Sequence, residues 1–148
     1  MQKVFSILLV LLLGLTAALP AGISAKSESK GKEAALSKQL KAVSKQTYRY
    51  FEDFTNEETG LTDDAVRLDD GTIKPQTHTS PTNIGMYMMS TISAEEMGHI
   101  SRDEAVNRIQ TTLNTLEELE TWNGLFYNWY NTEDGSLMTD WGQFISTV

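Results

Sequence analysis

Apolar and polar positions follow patterns along this chain that change at a few sharp boundaries. Val4 to Leu19 is an almost unbroken apolar run behind a single cation, Lys3, and Pro20 and Gly22 follow it directly. A short cationic start, an apolar stretch and the small-residue site Ile23-Ser24-Ala25 predict a secretory signal peptide over residues 1–25. A retained membrane anchor, the competing pattern, asks for about 20 apolar residues, more than this run supplies. Lys26 to Lys32 then reads as a polar linker.

From Glu33 the spacing turns helical. Leu36, Leu40, Val43, Tyr50, Phe51 and Phe54 fall on one face and predict a helix that ends near Phe54. Thr55-Asn56 and Thr59-Gly60 are turn chemistry, and Glu57 to Thr79 carries neither helical nor strand period. That stretch reads as a long loop with a short extended piece, and loops of such length are often functional.

A second helix has a clear start. Ser80 suits the cap and Pro81 the first helical position, and Ile84 to Met89 is apolar on nearly every face. This predicts a helix buried on all sides and closed by Gly98. Ser101-Arg102-Asp103-Glu104 reads as a capping box, with Ile100 as its staple, that opens a third helix. The stripe of that helix is Val106, Ile109, Leu113, Leu116 and Leu119, with Glu117, Glu118 and Glu120 toward water. The contrast predicts an inner helix and an outer one. Trp122-Asn123-Gly124 should end the third helix. Leu125 to Tyr130 should then form a hairpin with Leu137-Met138 through a turn at Glu133-Asp134-Gly135.

Charge narrows the partners. The net charge is −8, but Lys26 to Gln46 holds six lysines against Glu28 and Glu33, so the acidity lies in the rest. A body that acidic repels nucleic acid and anionic lipid, and neither nucleic acid nor stable membrane insertion is expected. The absence of cysteine excludes a disulfide framework and thiolate zinc sites. His78 and His99 are too far apart for a local metal pair, and Gly60, Gly71 and Gly135 lack the upstream acids of a calcium loop. With no phosphate loop and no hydrolase elbow either, no cofactor is expected.

Two segments carry candidate chemistry. Trp122, Trp129 and Trp141 lie within twenty residues of one another, beside Phe126, Tyr127 and Tyr130. Such rings suit either the C–H faces of sugars, with Asn128 and Asn131 for hydroxyls, or a packed core. Thr77 to Asn83 sets hydroxyls, an imidazole and an amide at the start of the second helix, whose free amides favour polar ligands. Capping accounts for Ser80 and Pro81 there but leaves His78, Thr79 and Asn83 unexplained. Asp63, Asp64, Asp69, Asp70 and Asp140 have no spacing that singles out a catalytic pair.

Four ordered segments have a wider likeness: Tyr50-Phe51-Glu52-Asp53-Phe54, Glu58-Thr59-Gly60-Leu61, Thr79 to Gly85, and Gly124 to Tyr130. Together they resemble the opening of the bacterial glucoamylase-like family, which includes endo-beta-1,2-glucanases and the glucoamylase-like region of cyclic beta-1,2-glucan synthases. The likeness runs over about residues 47–148. It implies an all-α fold over residues 33–148: the N-terminal part of an (α/α)6 toroid, three helices plus a short aromatic β-hairpin. It also implies a glycan cleft to which Thr79, Ser80, Asn83, Phe126, Tyr127, Asn128, Trp129 and Tyr130 contribute.

In such relatives the acids proposed for catalysis follow a stretch similar to Ile145-Ser146-Thr147-Val148, so the likeness carries no catalytic acid onto any position here. Three helices make only part of such a ring, and the inner faces of Ile84, Met88 and Ile92 should lack partners. The expectation is the N-terminal portion of an exported, glycoside hydrolase-like protein, secreted or at the cell envelope, that meets glucan but does not cleave it alone. The alternative is a secreted, non-catalytic carbohydrate- or envelope-binding protein. A purely structural domain is the third possibility.

Overall fold

The fold comes from a computed structural model that describes the backbone of residues 21–146 and side chains from residue 29 onward. The expected signal peptide lies, up to residue 20, outside the described residues, as do Thr147 and Val148. The chain divides into two compact units, residues 1–40 and 41–148. In the first unit the described residues are helical, and their side chains from 29 to 40 are exposed. The second unit holds every strand and every buried residue described below.

Helix α1 spans Ala21–Phe54, so the segment expected to be a linker is helical. Leu36, Leu40 and Val43 are exposed, whereas Tyr48 is buried and Tyr50, Phe51 and Phe54 are half-buried. The apolar face therefore does its packing only in the last turns. There the Phe51 ring lies 5.7 Å from Tyr87, and Tyr48 accepts a hydrogen bond from Arg108 at 3.2 Å.

The long stretch after α1 is not simply a loop. Strands β1 (Ala65–Asp69) and β2 (Thr72–Gln76) form an antiparallel hairpin whose turn is Asp70-Gly71, both in the left-handed region. Strand β3 is the pair His78–Thr79. Helix α2 (Pro81–Glu96) starts as expected, with Ser80 as cap and Pro81 in the first turn. It ends at Met97 and Gly98, where the Gly98 and His99 amides close back on Glu95 and Ala94.

Burial on α2 corrects one expectation. Ile84, Tyr87, Thr91 and Ala94 are buried, but Met86, Met89 and Ile92 stand exposed. The helix is apolar all round, yet only one face is covered.

Helix α3 (Arg102–Glu118) is capped by Ser101, which accepts from the Glu104 amide at 3.1 Å. The Glu104 carboxylate accepts from Arg108 at 2.6 Å, so Ser101 supplies the serine half of the capping box while Glu104 serves an ion pair. Its buried face is Ala105 and Thr112, with Leu119 at the cap, rotated from the expected stripe; Val106 and Leu113 are exposed. The threonines explain the rotation. Thr112 and Thr115 donate to the carbonyls of Gly60 and Thr59, so polar side chains occupy the inward face.

After α3 come β4 (Thr121–Trp122), β5 (Leu125–Asn128), β6 (Tyr130–Asn131) and β7 (Phe144–Ile145). Asn123-Gly124, expected to end α3, instead makes the two-residue turn between β4 and β5, with both residues at positive φ. The partners of β5 are β4 and β7, not Leu137-Met138; of the expected hairpin, the Tyr130–Leu137 bridge is present. Three helices are thus present among the described residues, as expected, but the short strands exceed a single aromatic hairpin. The all-α expectation is corrected to that extent. Leu61, Ile84, Leu119, Tyr127 and Tyr130 form the core, with α2 packed on α3 and β5.

Candidate functional site

Two sequence segments meet at a two-residue ladder. β3 pairs antiparallel with β6, setting His78 opposite Asn131 and Thr79 opposite Tyr130. The ladder is extended on one side by the Thr132 amide on the Thr77 carbonyl, and Asp64 donates its amide to the His78 carbonyl at 2.8 Å. Thr77 to Asn83 and the aromatic stretch, whose paired residues Thr79 and Tyr130 are 51 positions apart in sequence, are therefore one feature in space.

Behind the ladder sits a buried carboxyl. Asp63 accepts from the Thr132 hydroxyl at 2.6 Å, and its backbone carbonyl accepts from the Tyr50 hydroxyl at 2.9 Å. Burial pushes the Asp63 carboxyl above its ordinary range; Thr132 and His78 pull it down, and Glu133 adds to the rise. Burial likewise raises the Tyr50 phenol, with help from the charges of Asp63 and Asp64. These groups anchor the scaffold.

In front of the ladder, Asp64 accepts from the Asn83 amide and lies 3.7 Å from His78 Nε2. The His78 ring stands edge-on to two indoles, 5.4 Å from Trp129 and 4.9 Å from Trp141, and those indoles are 6.0 Å apart at 88°. Asp64, His78, Asn83, Trp129 and Trp141 thus make a cluster of two aromatic rings, an imidazole, an amide and a carboxylate.

The expected site residues divide by depth. Thr79 and Ser80 are buried, and so are Tyr127 and Tyr130, which belong to the core. The Tyr130 hydroxyl donates to the Glu120 carbonyl at 2.7 Å and accepts from the Tyr127 amide at 2.8 Å. Phe126 packs partly against the same core. Asn83, Asn128 and Trp129 are half-buried, and the Asn128–Trp129 peptide is cis. Two buried side-chain oxygens, Thr79 Oγ1 and Asn128 Oδ1, have no hydrogen-bond partner among the described residues.

Asp64 completes the cluster without having been singled out from the sequence, whereas His78 and Trp141 lay in the two candidate segments but not among the cleft residues implied by the likeness. The one signal for Asp64 was its place in an unassigned loop, where five acids looked alike. Among the described residues no group of three or more His, Cys, Asp or Glu side chains could hold a metal ion. No described helix is long and apolar enough to cross a membrane.

Comparison with known proteins adds context. Residues 42–145 match the protein family described as "Protein of unknown function (DUF3131)". The chain is 34% identical over 95 residues to the cyclic beta-(1,2)-glucan synthase NdvB of Rhizobium meliloti (strain 1021), covering 64% of this chain and 3% of that protein. Its fold matches that of an endo-beta-1,2-glucanase from Chitinophaga pinensis, solved with sophorotriose and glucose, with a TM-score of 0.61 and 20% identity. That match covers 70% of this chain and 25% of the glucanase. The chain therefore spans a small part of each, and both belong to the groups its motifs resemble.

Proposed function

Because this chain belongs to the DUF3131 family, and its motifs are those of the bacterial glucoamylase-like proteins, we propose that it provides the opening helices of an (α/α)6 glycan-processing fold and one wall of its glucan cleft. The observation that carries this reading is the β3–β6 ladder, which joins the polar Thr77–Asn83 segment to the aromatic Phe126–Tyr130 segment. A sugar site needs apolar faces flanked by a few placed polar groups, and this junction supplies both. Thr79 and Asn128 strengthen the reading. A buried oxygen without a partner costs stability, and a polar ligand or a water that reaches it removes that cost.

In this reading Asn83, Asn128 and Trp129 face the glycan and the Thr79 hydroxyl meets it or a bridging water, while Ser80, Phe126, Tyr127 and Tyr130 hold the wall in place. The two carboxylates at this junction, Asp63 and Asp64, favour binding over cleavage. Glycoside hydrolysis needs two acids on opposite sides of one bond. Here Asp63 is buried against Thr132 and Asp64 is engaged by Asn83. The apolar run and small-residue site near the start of the chain support a role outside the cytoplasm, where polysaccharide is met.

Calorimetric titration of the purified chain with beta-1,2-glucan oligosaccharides tests the proposal, alongside a reducing-end assay. Binding without release of reducing ends is the expected result. No heat of binding with any beta-glucan would refute the glucan reading, and measurable release would refute the non-catalytic one.

A further inference from the structure

We propose that Trp141 is a sugar-stacking platform and that His78 is the positioning residue that holds its indole ready; this rests on the glucan reading above. Trp141 lies in a stretch between β6 and β7 without regular backbone structure, and 53% of it is exposed. An exposed indole in such a stretch is ordinarily free to rotate. This one is braced by two edge-on rings, His78 at 4.9 Å and Trp129 at 6.0 Å. Near-perpendicular contacts of that kind restrain a ring's plane, and half of Trp141 remains exposed.

Trp122 provides an internal contrast. It is equally exposed, at 53%, but no ring packs against it among the described residues. Exposure alone therefore does not mark Trp141; bracing does. The brace is itself anchored. The His78 backbone is held in β3 against Asn131, its carbonyl accepts from the Asp64 amide, and its Nε2 lies near the Asp64 carboxylate. A ring preset in this way loses little freedom when a pyranose stacks on it, which is how preorganisation raises affinity. Asp64 and Asn83 stand beside the platform and are the groups suited to sugar hydroxyls.

The ligand class is a neutral, pyranose-containing oligosaccharide. A polyanion is disfavoured by Asp64 and by the acidity of the chain beyond Gln46.

The test is a binding titration of the full chain with short beta-1,2-glucan oligosaccharides, using wild type, Trp141→Ala, Trp141→Leu and Trp122→Ala. Both Trp141 variants are expected to weaken binding by about tenfold or more, and Trp122→Ala by less than about twofold. Unchanged affinity in Trp141→Leu, or an equal loss in Trp122→Ala, overturns the platform. His78→Ala should weaken binding and speed the depolarisation of Trp141 fluorescence, yet add little further loss in a Trp141→Ala background. An equal loss in both backgrounds shows that His78 does not act through Trp141. Absence of binding by wild type overturns the glucan reading as well, a different outcome from intact binding that ignores Trp141.

Discussion

The Thr112 hydroxyl donates to the Gly60 carbonyl at 2.9 Å, and a Cβ placed on Gly60 would sit 2.6 Å from that same oxygen. The loop after α1 and helix α3 are thus in backbone contact at this point. Thr59 reinforces the contact, accepting from Thr115 through its carbonyl and donating its hydroxyl to the Thr132 carbonyl. The Glu58-Thr59-Gly60-Leu61 segment, one of the four that carry the family likeness, therefore serves as a joint between three parts of the chain.

Gly60→Ala should destabilise the fold by about 2–4 kcal/mol. Gly60 has φ +65°, which an alanine adopts only with strain, and the added methyl also meets the Thr112 backbone nitrogen at 2.7 Å. Urea unfolding followed by tryptophan fluorescence measures the loss; a midpoint equal to wild type would contradict the close approach.

Tyr130→Phe removes one oxygen and takes the partner from the buried Tyr127 amide and from the part-buried Glu120 carbonyl. The expected loss is about 1–3 kcal/mol, read from urea unfolding, more than a single surface hydrogen bond would give. Tyr130 is 0% exposed, so the ring itself stays in place and the change isolates the hydroxyl.

Asp63 should make stability fall as pH rises. Its carboxyl is raised above the ordinary 3.8, chiefly by burial, so the folded state binds that proton more tightly than the unfolded one. Its contribution is complete below 3.8 and is lost as pH climbs through the raised value. In Asp63→Asn the side-chain oxygen can still accept from Thr132, and the variant should gain on wild type between acid and neutral pH. Unfolding midpoints across that range read the difference; parallel curves for the two proteins would be the contrary result.

The two caps should differ. Ser101→Ala should cost about 1 kcal/mol, because its oxygen meets the Glu104 amide at 3.1 Å. Ser80→Ala should cost less, since its bond to the Asn83 amide is stretched to 3.4 Å. Thermal unfolding of both variants gives the ranking directly.

Cap chemistry is local, which is why Ser80, Pro81, Gly98 and Ser101 could be read from the chain. The β1–β2 hairpin was missed although Asp70-Gly71 is a strong turn pair. Leu68 and Ile73 face each other across it and are both exposed, as are most positions of both strands, so no buried face imposes an alternating pattern. The phase of α3 was misjudged for a related reason. Thr112 faces inward to bond a carbonyl, and hydropathy does not see a polar residue placed there. The site was half legible. Both of its segments stood out by composition, but a two-residue ladder has no period, and nothing in the spacing of Asp64 set it apart from its neighbours.

That ladder also sets an order of events during synthesis. The bonds that tie the site's two halves reach far along the chain, 69 residues from Asp63 to Thr132 and 73 from Thr59 to Thr132. No part of this junction can close until residue 132 has left the ribosome. Until then Asp63 waits without the hydroxyl it will bond, beside helices that can already form from local contacts. The aromatic wall arrives after all three described helices, and its arrival locks the pieces made before it.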